Sequence, residues 1–209
     1  MSDYYRERAA EYDAIYAKPE RQTDLARLHS LLPELVRDRT VLEIAAGTGY
    51  WTATLSTAAE SVLATDLNEE PLEIARSRSY DGAVAFQRAD AYDLKAVAGD
   101  FDTAFAGFFW SHIPRSAIAT FLRGMQKRLG SGGRLILMDN RYVEGSSSPV
   151  TRTTADGDTF QTRTLTDGRT FEVLKNFPTR EQFIDDVTAF AEVEWTEFPY
   201  FWLATLTFR

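Results

Sequence analysis

The chain predicts an α/β fold built on a mostly parallel sheet, and three observations carry that expectation. Between residues 40 and 140, short apolar runs alternate with stretches of helical character. Such alternation calls for parallel strands joined by right-handed crossovers. The first run, Val41-Leu42-Glu43-Ile44, breaks into the small-residue turn Ala45-Ala46-Gly47-Thr48-Gly49 and then opens a helix. A turn without bulky side chains lets a ligand lie against the backbone. After Asn140 the texture changes. Asp167-Gly168 sits between the β-prone runs 160–165 and 170–174, a strong hairpin signal.

The elements follow in order. Residues 3–17 place Tyr4, Tyr5, Tyr12, Ile15 and Tyr16 at roughly helical spacing, and 20–37 read as an amphipathic helix punctuated by Pro33. Strands are expected at 41–44, 61–67 and 83–87, with helices at 50–59, 69–79 and 114–129. Asn68 is placed to cap the second of these, with Glu69, Glu70 and Pro71 in its first turn, and Pro114 suits the start of the third. Residues 144–159, rich in Ser, Thr, Gly and Asp, read as a mobile loop. Thr179-Arg180-Glu181-Gln182 has the pattern of a capping box and opens a helix to Val187. Strands at 190–197 and 200–208 close the chain. The expected organisation is one domain over 1–209. A helical lid spans 1–38, a ligand-binding core 40–140, a loop and β-hairpin insertion 141–178, and a helix with two strands 179–209.

Composition bounds the function. With 209 residues the chain can bury a sizeable core. It carries a net charge of −8 and no Lys/Arg-rich run, so a nucleic-acid partner, whose phosphates need basic surface, is not expected. No apolar run approaches the ~20 residues that cross a bilayer, and the polar N-terminus lacks a secretory pattern. The absence of Cys excludes disulfides and thiolate metal sites. These features point to a cytoplasmic protein without a membrane partner.

The spacing around the first turn excludes two common ligand loops. A phosphate-binding loop needs Lys followed by Ser or Thr after its second Gly, and a dinucleotide fingerprint needs three glycines as G-x-G-x-x-G. Neither is present. Glu43, acidic and just before the loop, suits a cationic or hydroxyl-rich ligand better than a phosphate. The sequence Glu43-x-Ala45-x-Gly47-x-Gly49 instead resembles the first motif of class I S-adenosylmethionine (SAM)-dependent methyltransferases, with Ala45 where the family usually has Gly. Further matches follow in order. Asp66 ends the second apolar run, where the family's ribose-binding carboxylate stands. Asp90 and Ala91 match the adenine site, and 101–110 resemble the fourth strand, whose end faces the methyl group. Finally, 129–139 resemble the helix, glycine turn and fifth strand.

The resemblance implies a Rossmann-like seven-stranded sheet, mostly parallel with an antiparallel last strand and helices on both faces, plus the inserted hairpin. It implies SAM as cofactor, bound by Glu43, Ala45, Gly47, Gly49, Trp51, Asp66, Leu67, Asp90, Ala91 and Phe108. Methyl transfer is an in-line displacement in which the protein mainly aligns the partners. His112, just after the fourth strand, is the candidate base. Candidate acceptor ligands are Tyr4, Tyr12, Phe109, Trp110 and Arg141, with Tyr142, Arg152 and Arg163 also in view, and a guanidinium there favours an acidic acceptor. No metal is expected, because Asp139-Asn140 is too sparse a ligand set. His29 reads as a packing residue. The expected function is methylation of an oxygen or nitrogen of a small molecule by a monomer or homodimer. The alternatives are methylation of a protein side chain or carbon centre, a SAM-binding regulator without turnover, and a nucleotide-dependent oxidoreductase, against which the missing third Gly argues.

Overall fold

A computed structural model describes Tyr4 and residues 8–209, the side chains of 9–12 excepted. Five strands, β1 (Thr40–Ile44), β2 (Ser61–Asp66), β3 (Ala83–Arg88), β4 (Thr103–Gly107) and β5 (Arg134–Asn140), pair in parallel. The α-helices, numbered along the described residues, are α1 (Gln22–Val36), α2 (Tyr50–Leu55), α3 (Glu69–Arg76), α4 (Ile118–Leu129) and α5 (Arg180–Val187). β9 (Ala191–Glu197) and β10 (Phe201–Phe208) complete a seven-stranded sheet in the order β3-β2-β1-β4-β5-β10-β9. β10 runs antiparallel to both of its neighbours, so the expected reversal of the last strand is present. Strand order reverses between β1 and β4. The carboxyl ends of two such strands bound the crevice where open α/β sheets bind ligands.

The pleat sends alternate side chains to opposite faces. On β5, Leu135 and Leu137 pack with Phe121, Leu122 and Met125 of α4 and with Phe183 of α5. Ile136 and Met138 pack on the other face, against Leu25, Leu28 and Leu32 of α1 and Leu55 of α2. Near-continuous apolar strands are therefore buried on both faces, as a parallel sheet requires.

The insertion differs from the expectation. Within the stretch read as a loop, β6 (Arg152–Thr153) pairs with β7 (Thr159–Thr164), which pairs with β8 (Thr170–Leu174). The result is a separate three-stranded antiparallel sheet rather than a hairpin beside a loose segment. Gly168 takes a left-handed φ of +87° in the predicted Asp-Gly turn. The capping box at Thr179 forms as read, with Gln182 N–H donating to the Thr179 hydroxyl and Thr179 N–H to the Gln182 side chain. The Asn68 side chain does not cap α3. Its backbone N–H donates instead to Asp66 Oδ1. The described part of the N-terminal segment, Ala9–Ala17, is a 3-10 helix. The fourth strand stops at Gly107 rather than running to residue 110, because Phe108 turns to φ +59°.

Candidate active site

Two cavities meet at the carboxyl end of β4. The larger, about 780 Å³, lies over the crevice between β1 and β4. Ala45 and Gly47 of the β1 turn, Asp66 and Leu67 after β2, Asp90 and Ala91 after β3, and Phe108 and Phe109 after β4 all line it. The backbone shapes its floor. Ala45 (φ +54°), Gly47 (φ +57°) and Gly49 (φ +76°) are all left-handed. Left-handed backbone strains an alanine by roughly 1–2 kcal/mol, which gives a physical reason for the glycine that the resembled motif prefers at Ala45. A Cβ at Gly47 meets nothing within 4 Å, so the loop presents open backbone to the cleft. Asp66 Oδ2 accepts the Gly47 N–H (3.0 Å) and Oδ1 the Asn68 N–H (2.9 Å), which fixes the carboxylate at the rim. Burial raises the Asp66 pKa against those hydrogen bonds.

Three of the expected cofactor ligands do not line this cleft. Glu43 is buried beneath the turn, where its carboxyl accepts the Thr52 hydroxyl at 2.6 Å, and burial pushes its pKa up to about 8. Its bond to Thr52 ties α2 to β1. Gly49 is the N-terminal cap position of α2 and backs onto Ala75. Trp51 packs behind the loop, stacked on His29 and donating from Nε1 to the Tyr16 hydroxyl (3.1 Å). His29 is thus the packing residue the sequence suggested, its Nδ1 2.7 Å from the Thr54 hydroxyl.

The smaller cavity, about 100 Å³, lies on the other side of Phe108 and His112, which line both. The insertion builds the partition by strand alternation. Phe160, Glu172 and Leu174 face the large cleft, whereas Gln161, Arg163 and Lys175 face the small pocket. Arg8, Lys18, Arg21, Arg163 and Lys175 line the small pocket, and among the described residues no carboxylate does. The cations are held from behind. Arg21 donates from Nε and Nη2 to the Ser146 hydroxyl (3.1 and 3.0 Å), from Nη2 also to the Ser146 carbonyl (3.2 Å), and from Nη1 to Asn140 Oδ1 (3.1 Å). Lys18 donates to the Ser146 carbonyl (2.5 Å), and Arg163 to Ser148 Oγ (2.8 Å) and Gln161 Oε1 (2.6 Å). Lys175 reaches Asp139 Oδ1 (2.9 Å) and Ser111 Oγ (2.6 Å) in full burial. Burial alone would raise the Asp139 pKa, but Lys175, His112 and the Ser111 N–H outweigh it and keep the carboxylate ionised.

His112 stands where the sequence placed a base, between the two cavities. Its Nδ1–H donates to the Leu174 carbonyl (2.6 Å), which sets the tautomer, since a carbonyl only accepts. Burial and the neighbouring Lys175 charge hold its pKa well below the ordinary histidine value. His112 lines both cavities, so it forms part of the wall between them.

The acceptor residues divide. Tyr4 lines the cationic pocket and accepts a hydrogen bond from Arg8 (2.6 Å), and Phe109 lines the large cleft. Trp110 does neither. It is buried against Phe183 in the sheet core, because the chain curls into a 3-10 turn at that point. Arg141 donates to the Phe198 carbonyl (2.8 Å) and pairs with Glu197, away from both cavities. The Tyr12 side chain lies outside the described residues. Sequence reading missed Lys18, Arg21 and Lys175, which share no motif, Lys175 standing more than a hundred positions beyond the other two. It also missed Asp13, which accepts from the Thr48 hydroxyl (2.6 Å) and pairs with Arg78, tying the N-terminal segment to the glycine turn. Among the described residues no cluster of His, Cys, Asp and Glu could hold a metal, and no helix is long and apolar enough to cross a membrane.

Comparison with known proteins agrees with this geometry. A family model described as a methyltransferase domain matches residues 41–133. A demethylmenaquinone methyltransferase of Clavibacter sepedonicus is 34% identical over 113 residues, which cover 53% of this chain and 42% of that protein. Among solved structures, the DhpI-SAM-HEP complex is 29% identical with a TM-score of 0.79, covering 98% of this chain and 94% of that one. The DhpI-SAH complex is 28% identical with a TM-score of 0.78, covering 99% and 94%. CalS10, an amino pentose methyltransferase from Micromonospora echinaspora, shares the fold at 20% identity and a TM-score of 0.63.

Proposed function

We propose that the chain is a class I SAM-dependent methyltransferase with SAM as cofactor, as the family match and the similar structures support, and that it methylates an oxygen or nitrogen of a small-molecule acceptor seated in the cationic pocket. The observation that carries this reading is the shared wall. Phe108 and His112 line both cavities, so a ligand in one lies against a ligand in the other.

The residues at the large cleft fit the cofactor. Asp66 offers a fixed carboxylate to hydroxyl donors, and Asp90 with Ala91 offers an acceptor beside a small residue at the end of β3. Leu67 and Phe109 supply apolar sides for a flat ring. Among the described residues the lining contains Asp66, Asp90, Asp158 and Glu172 and no Lys or Arg, a negative field suited to a sulfonium. The cofactor supplies a methyl group already activated by its positive sulfur. The protein's task is alignment and exclusion of water. The insertion contributes the exclusion by covering both cavities with one sheet.

Calorimetric titration with SAM and S-adenosylhomocysteine, followed by a turnover assay for release of the latter, tests the reading. Both ligands should bind. Asp66→Ala should weaken both by about 10- to 100-fold, the value of a hydrogen bond to a charged group. Unchanged affinity in that variant would overturn the ribose role of Asp66, and binding without turnover on any small acid, amine or alcohol would overturn the enzyme reading.

A further inference from the structure

We infer that Arg152 is a positioning residue for the cofactor: it grips Glu172 and Phe160 and so fixes the roof that the insertion lays over the large cleft. This rests on the reading that SAM occupies that cleft. The sequence put Arg152 in view as an acceptor ligand, but it lines neither cavity. Its place follows from strand pairing. Arg152 stands opposite Phe160 across β6 and β7, and Phe160 stands opposite Leu174 across β7 and β8. Directly opposed residues of antiparallel strands project to one face, and Glu172, two residues from Leu174, shares it. That face covers the large cleft, because Phe160, Glu172 and Leu174 all line it. Arg152 is the only Lys or Arg that these three strands put on this face, since Arg163 turns to the small pocket.

The grip is specific. Arg152 donates from Nε to Glu172 Oε1 (2.8 Å) and from Nη2 to Glu172 Oε2 (2.6 Å). Its guanidinium carbon lies 3.8 Å from the centre of the Phe160 ring. A planar guanidinium can do both at once, using its donor fork for the carboxylate and its face for the ring, whereas an ammonium cannot. β6 is only two residues long, so this side chain extends its hold across all three strands. The pair is about half exposed, and an exposed ion pair by itself adds little to the stability of a fold. What it restricts is the freedom of two side chains that line the cleft. A ring and a carboxylate already held in place lose less rotamer entropy when a ligand fills the space beneath them. Loss of Arg152 should therefore appear in ligand residence rather than in folding.

The test measures S-adenosylhomocysteine affinity by calorimetry and its dissociation by stopped flow, in the parent and in variants. Arg152→Ala should weaken affinity about three- to tenfold, mainly through faster dissociation, with thermal melting unchanged. Arg152→Lys should recover part of the loss, since it keeps a charge near the ring without the fork. Arg169→Ala, which removes an exposed pair with Asp167 at the turn of the same sheet, should leave affinity unchanged. In a Phe160→Leu/Glu172→Gln background, Arg152→Ala should add less than about twofold, because the groups it positions are gone. Unchanged affinity in Arg152→Ala, an equal loss in Arg169→Ala, or a full further loss in that background would overturn the inference. The two readings fail separately. A parent that ignores S-adenosylhomocysteine overturns the cofactor reading, whereas a parent that binds it no better than Arg152→Ala overturns the role of Arg152 alone.

Discussion

The two cavities differ in what builds them. Backbone shapes the large cleft: three left-handed residues in the β1 turn, a fourth at Phe108, and the ends of parallel strands. Side chains shape the small pocket, brought from the N-terminal segment, α1's approach, β5 and the insertion. Their charges are opposite, with acids alone lining one and cations the other among the described residues. A buried carboxyl beside each shows how context sets charge. Glu43 has a hydroxyl for a partner and burial keeps its proton on near neutral pH, whereas Asp139 has Lys175 and stays ionised. The difference teaches that desolvation penalises a buried acid until a fixed cation answers it.

The comparison can be broken most forcefully on the cationic side. Lys175→Met leaves Asp139 buried without its counter-ion and should destabilise the fold by about 3–5 kcal/mol, read by urea unfolding. Adding Asp139→Asn should recover most of that loss. If the single variant is as stable as the parent, the pair does not hold the pocket together.

A smaller effect is expected under the cleft. The folded pKa of Glu43 lies above the unfolded carboxylate value, so the native chain retains a proton that the unfolded chain loses. The resulting stability is fully present below about pH 4.5 and is lost as pH rises toward about 8. The Glu43 contribution to that fall is at most roughly 5 kcal/mol. Glu43→Gln, which keeps the acceptor for Thr52, should flatten the difference between unfolding curves at pH 5 and pH 8. A parent and variant with parallel pH profiles would mean that Glu43 is ionised in the fold.

The smallest expected effect concerns the backbone itself. Gly49→Ala puts a methyl group at φ +76°, 3.0 Å from the Ala75 Cβ and into the Tyr80 hydroxyl. A loss of about 1–2 kcal/mol in thermal or urea unfolding, with SAM affinity reduced in step, is expected. No change in either would show that the turn relaxes and that its left-handed geometry is dispensable.

Much of the cleft was legible because its signals are local. The strand–turn–helix at 41–55, the acids at strand ends and the Asp-Gly turn each lie within a few residues, where period and turn chemistry decide the conformation. Asp66, Asp90, Ala91 and Phe108 reached the cleft for that reason. Glu43 and Trp51 did not, because a residue at the edge of a motif can turn either to the ligand or to the layer behind it, and only packing against Thr52, Tyr16 and His29 chose. Trp110 and Phe109 are adjacent, yet one enters the core and the other the cleft. The left-handed Phe108 and the turn after it redirect the chain in a way that apolar patterning does not record.

By itself, the sequence determined the parallel core, its reversed last strand through the family resemblance, the small-residue turn and strand-end acids that line the large cleft, and the presence of an insertion. Periodicity, small-residue turns and strand-end acids act over short stretches of chain and survive in any read of it. Tertiary structure alone decided that Lys18, Arg21, Arg163 and Lys175 share one pocket and that Asp139 is paired rather than bare. It also decided that His112 lines both cavities. Those facts depend on contacts across more than a hundred residues, and charge–charge energies follow distance and burial in space, which spacing along the chain does not encode.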